Sequence, residues 1–156
     1  MSYRPNHEER LVSLEQRLRS TQAVTAGLMA ELIAHGCVRF AACGGAARVR
    51  INRLIESGAW IDAALALTEL ELPQWKLRRL VCDGGEWHCA LSKQPALPAA
   101  LDDTAEARHE SLPLAILLAF IEALRQQRSP SPVSRLRTVA EVRPVLGYAV
   151  CCDNFA

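Results

Sequence analysis

The stretch Trp75–Ser92, WKLRRLVCDGGEWHCALS, constrains the fold more than any other part of the chain. Two runs rich in Trp, Leu, Val and Cys flank a single break, Asp83-Gly84-Gly85. Tight hairpin turns need positive φ, which glycine adopts without steric cost and aspartate tolerates nearby. The segment therefore predicts a β-hairpin over 75–92. Two strands are not stable alone in water, so helices must cover the hairpin or another strand must extend it. Two registers fit the sequence. With Gly84-Gly85 as a two-residue turn, Cys82 faces Trp87 and Leu80 faces Cys89. With a three-residue turn, Val81 faces Trp87 and Leu77 joins Leu91. Both put Trp87, Cys89 and Leu91 on one side, the predicted core face, and Glu86, His88 and Ala90 on the other.

The partner for that face is the segment LPLAILLAFIEALRQQR. It opens after Ser111, an N-cap candidate, and carries Pro113 in its first turn, where the missing N–H costs nothing. It is apolar almost all round until Glu122, the pattern of a helix buried on every side. Its apolar run, Leu112 to Ile121, is too short to span a bilayer. At the other end of the chain, Leu11, Leu14, Leu18, Thr21, Thr25, Leu28 and Leu32 alternate spacings of three and four. That periodicity predicts one helix from Asn6 to His35, capped by Asn6 and closed by Gly36. The same residues fit the a and d positions of a heptad, with Arg10 at g and Glu15 at the following e. A homodimer through a coiled coil of this N-terminal helix follows as an expectation.

Between these parts, Gly44-Gly45 marks a turn, AARVRINRLIE reads as a short helix ending near Gly58, and Ala59–Leu70 reads as another, stopped by Pro73. The segment SKQPALPAALDDTAEARHE reads as a polar connection, with one helical turn near Ala99. Ser129-Pro130-Ser131-Pro132 opens a tail in which VLGYAVCC can add a strand. The predicted class is α+β: a helix-rich small domain with a central antiparallel hairpin packed against an apolar C-terminal helix. The predicted organisation is a long helix over 1–36, a core domain over 37–128 with hairpin 75–92 and helix 111–128, and a flexible tail over 129–156.

The chain has 156 residues, enough for one domain, and half of them are hydrophobic. Its formal net charge is only +1, which argues against a partner bound by the charge of the whole molecule. Six cysteines stand at 37, 43, 82, 89, 151 and 152. The first residues, MSYRPNHEERLVSLEQR, are polar and unlike a secretory signal. Phe40-Ala41-Ala42-Cys43 matches a lipoprotein cleavage box, but Arg39 and His35 interrupt the apolar stretch such a box requires. These features predict a cytoplasmic protein with reduced thiols.

The region LTELELPQWKLRRLVCDGGEWHCALSKQPALP, followed by LDDTAEARHESLPLAILLAFIEA, resembles a group of small uncharacterised bacterial proteins. The similarity runs from about Trp60 to Arg125 and omits both ends. It implies no activity and transfers no catalytic or binding residue.

Candidate chemistry is sparse. Structural zinc needs four converging ligands, written in sequence as paired short spacings such as Cys-x-x-Cys, and the chain has none. On a strand, His88 and Cys89 point to opposite faces and cannot share an ion. Cys43 precedes Gly44-Gly45, a helix start and Arg48 and Arg50, but the spacing matches no phosphate loop. Asp102, Asp103, Glu106, Arg108, His109 and Glu110 form a polar cluster read as a solvated loop, where acid–base catalysis has no cleft to perturb pKa values. Glu69 and Glu71 are read as solvated at a helix end. No cofactor or metal follows, and an enzyme is not expected. The leading expectation is a non-catalytic protein-interaction or regulatory module that self-associates. The alternative is a nucleic-acid binder working through Arg48, Arg50, Arg53, Arg78 and Arg79, with Arg39 beside them, in an interval free of acidic residues from 37 to 55. Scarce lysine and the lack of an aromatic platform weigh against it.

Overall fold

The computed structural model describes residues 6–98 and 102–128. In chain order the elements are α1 (His7–Ser20), α2 (Ala26–Gly36), α3 (Val38–Ala42), α4 (Ala46–Glu56), α5 (Trp60–Glu71), β1 (Lys76–Asp83), β2 (Glu86–Ser92), β3 (Thr104–His109) and α6 (Leu112–Arg128). The fold is α+β, with α6 at its centre. Leu114 through Ile121 are buried on all sides of α6, which touches β2 and β3 as well as α1 and α5. An all-round apolar helix has no polar face to offer water, so it becomes the hub.

The hairpin forms with the two-residue turn: Gly84 (φ 59°) and Gly85 (φ 89°) make the doubly left-handed turn that joins strands tightly. Cys82 pairs with Trp87 and Leu80 with Cys89. A bulge at Arg78 then shifts the ladder by one residue, so Arg79 stands opposite Ala90 and Leu77 opposite Leu91. The register near the turn is the first of the two expected, and the bulge restores the Leu77–Leu91 pair of the second. Cys89 and Leu91 are buried, while Trp87 is half-buried at the edge of the core. The fully buried tryptophan is Trp75, just before β1.

The segment 93–110 is not merely a connection: Thr104–His109 forms β3, antiparallel to β2 in a sheet of order β1-β2-β3. Ala105 and Ala107 pair with Leu91 and Cys89 and are buried, whereas Glu106 and Arg108 face outward. Alanine is a poor strand former, and its alternation with charge hid the strand; burial against α6 overrides that propensity.

The N-terminal segment expected as one helix from Asn6 to His35 is two helices. The α1 start is as expected: Asn6 Oδ1 accepts from Glu9 N at 2.8 Å, and Glu9 Oε2 accepts from Asn6 N at 2.9 Å. The helix ends at Ser20 because the Ser20 and Thr21 hydroxyls both donate to the Arg17 carbonyl, at 3.0 and 2.7 Å. Thr21 is extended (ψ 139°), and Thr25 caps α2 by accepting from Leu28 N at 3.2 Å. Hydroxyl side chains compete for backbone groups inside helices in this way. Leu11, Leu14 and Leu18 are 0–2% exposed within this chain, with α1 packed on α6 and α2. The heptad seam is thus occupied by the protein's own core. Gly36 is the last residue of α2 rather than a left-handed cap, and Leu124, Leu11 and Leu32 close around it.

Other elements follow expectation: α4 ends before Gly58, α5 begins at Trp60, and α6 begins after Ser111, whose carbonyl accepts from Ala115 N. Among the described residues no helix is long and apolar enough to cross a membrane. The expected helical turn at Ala99 and the tail over 129–156, with Cys151 and Cys152, lie outside the described residues.

Candidate interaction surface

The acid-free interval folds as α3 and α4. Phe40 buries its ring and anchors α3, while Cys37, at the N-cap, is also buried. A carboxylate holds this short helix: Glu71, at the end of α5, accepts from the backbone N–H groups of Arg39 (3.0 Å) and Phe40. Glu71 is therefore not solvated but 5% exposed, spent on the free donors of a helix start. Glu69 is exposed as expected.

Along α4, Ile51 faces inward toward α5 and α2, with Leu54 and Ile55 half-buried. Positions i, i+3, i+4 and i+7 from Ala46 share the outer face, and these are Ala46, Val49, Arg50 and Arg53. They line a shallow groove of about 500 Å³ together with Leu54. Arg50 also borders a second depression, where α4 meets Ala66, Glu69 and Leu70 of α5. Arg48 lies to one side with its guanidinium 5.4 Å from the Phe40 ring centroid, a cation–π contact that stiffens it. Val49 is 50% and Val38 61% exposed. Among the described residues, Arg39, Arg48, Arg50 and Arg53 form no ion pair.

The other two expected arginines do not join this surface. The bulge turns Arg78 toward Asp102, at 2.6 Å, and its second nitrogen donates to the Leu97 carbonyl at 2.8 Å. Asp102, whose side chain is 2% exposed, also accepts from the Ser92 hydroxyl. Ser92 Oγ in turn accepts from Gln94 N at 3.0 Å. Burial pushes the Asp102 carboxyl up, but hydrogen bonds from Ser92, Arg78 and the Gln94 backbone outweigh it and leave the pKa below the usual value. Arg78 is thus a structural tie between β1 and the chain after β2, and Asp102 is no part of a solvated loop. Arg79 sits on the outward face of the sheet, on β1, whereas α4 rests on α5 and α2.

The thiols divide by burial. Burial, reinforced by the negative charge of Glu71, pushes the Cys37 thiol far above its ordinary range, and burial alone pushes Cys89 up to about 12. Neither is a nucleophile. Cys82 is exposed beside the turn and Cys43 is half-buried; all four described cysteines carry free thiols. His88 and Cys89 point to opposite faces, and among the described residues no three His, Cys, Asp or Glu side chains are grouped to hold a metal.

Arg48, Arg50 and Arg53 stand close together on α4 as the sequence leads one to expect, whereas the exposed Val38 and Val49 are not among the residues it singles out. The signal was present in the helical spacing of Ala46, Val49 and Arg53, which pairs apolar and cationic residues on one face. Compared with family models, curated proteins and solved structures, the chain matches none, so function rests on the geometry above.

Proposed function

We propose that this protein is a non-catalytic interaction module whose α3–α4 face binds an acidic segment of a partner protein that also carries apolar side chains. One observation carries the reading: Val49 lies among Arg50 and Arg53 on the least covered helix and lines a groove with them, Ala46 and Leu54. Arginine with aliphatic surface is the composition of protein interface cores, where guanidinium groups both pair with carboxylates and stack on apolar area. Cations without ion partners supply complementarity to an acidic ligand and speed encounter. On this reading the protein works in a reducing compartment, the cytoplasm, with its thiols free. The nucleic-acid reading is weaker because Arg78 is spent on Asp102 and α4 offers no ring for a base to stack on.

Selection of random displayed peptides against the full chain tests this. Enriched peptides should combine Asp or Glu with Leu, Ile or Phe, and binding should fall at least tenfold in Arg50→Glu/Arg53→Glu, a change on the order of 1.4 kcal/mol. Val49→Ser should weaken the same peptides without altering the thermal midpoint. Enrichment of basic peptides, or none, overturns the proposal. Equal or tighter binding of a single-stranded oligonucleotide at physiological salt would favour nucleic acid instead.

A further inference from the structure

The face of the sheet turned away from α6 carries a second cationic group. Across it, Arg79, Ala90 and Glu106 stand in one row, and Val81, His88 and Arg108 in the next. Ala90 has no bulk to fill its place, yet it is only 5% exposed because longer neighbours rise around it. Over Ala90 lies a depression of about 70 Å³ bordered by Arg79, His88, Glu106 and Arg108. Among the described residues neither Arg79 nor Arg108 forms an ion pair, and the Glu106 carboxylate accepts one long hydrogen bond, 3.5 Å, from Thr104 Oγ1. Two guanidiniums on the outer strands and an imidazole on the middle one therefore border a single small hollow.

We propose that this hollow binds a phosphate group, held by Arg79 and Arg108 from the two outer strands with His88 donating from the border on the middle one. The hollow is small, about 70 Å³, on the scale of a tetrahedral oxyanion rather than of a base or a bulky side chain. Geometry decides the class. One guanidinium fork satisfies a planar carboxylate, whereas two forks on different strands suit an anion with oxygens spread tetrahedrally. An imidazole donates an N–H in either protonation state. Glu106 stands at the rim as the single opposing charge and holds the affinity down.

The test is a ¹H–¹⁵N titration of the full chain with inorganic phosphate at constant ionic strength, with acetate and chloride in parallel. Phosphate at millimolar concentration should shift the amides of 88–90 and 106–108, and acetate and chloride should not. Arg79→Gln and Arg108→Gln should each weaken phosphate about tenfold, the loss of one charge-assisted contact. Both positions are exposed, and an unchanged thermal midpoint identifies a folded variant. Glu106→Gln should tighten binding, which a purely structural role for that carboxylate does not predict. Absence of shifts, equal shifts with acetate, or undiminished binding in both arginine variants overturns the proposal. A titration with phosphoserine in place of inorganic phosphate separates a free-phosphate site, which loses affinity for the ester, from one that accepts a phosphomonoester.

Discussion

At the scale of single residues, two carboxylates do work that their sequence neighbours do not. Glu71 and Glu69 sit two apart at one helix end, yet only Glu71 turns inward to meet the N–H groups of Arg39 and Phe40. Removing it leaves buried donors without a partner, so Glu71→Ala should cost about 1–3 kcal/mol in denaturant unfolding, while Glu69→Ala should change little. Asp102 makes a pH prediction. Its folded-state pKa lies below the ordinary aspartate value of about 3.9, so the unfolded chain binds the proton more readily. The stabilisation from the Arg78–Asp102–Ser92 tie is therefore complete above the unfolded pKa and is lost as pH falls through the folded one. Urea unfolding of the wild type and Asp102→Asn should differ by a constant amount near neutrality and converge in strong acid. A gap that widens on acidification would refute this assignment of the charge.

At the scale of elements, the break between α1 and α2 determines what the N-terminal third becomes. Hydroxyls at Ser20, Thr21 and Thr25 end one helix and start the next, and the two then pack on each other and on the core. Gly36 sits where α1, α2 and α6 approach. A Cβ there would meet Leu124 at 3.6 Å and Leu11 and Leu32 at 3.8 Å, ordinary contact distances. Gly36→Ala should therefore be neutral or stabilising by up to about 1 kcal/mol through helix propensity. Gly36→Leu should destabilise by about 1–3 kcal/mol, because the extra methylenes must push leucines aside. Thermal melts of the two variants check the sign of each.

At the scale of the whole molecule, α6 joins the sheet to the helical layer, so its neighbours answer to one core. Leu14→Ala should cost about 2–5 kcal/mol as a buried truncation, and light scattering should give the same mass before and after, because the leucine faces this core and not a second chain. Thiol labelling of the native protein should leave Cys37 and Cys89 unmodified until global unfolding, and Cys82 should react readily. The hairpin and its turn, the central helix, the α4 and α5 segments and the capping of α1 were legible in the sequence, because each depends on local chemistry: glycine at positive φ, proline in a first turn, a side chain reaching three residues along. What the sequence left undecided depends on distant partners. Ala105 and Ala107 are strand residues because they pair with β2 and lie buried against α6, and a periodic leucine pattern does not say whether its seam meets another chain or the same one. Arg78 and Arg79 are adjacent and alike in sequence, and the bulge, with Asp102 beyond it, sends one into a half-buried ion pair and leaves the other on the open sheet. The candidate surface on α4 was visible as charge and invisible as shape, since exposure of Val49 is a property of what packs nearby and not of valine.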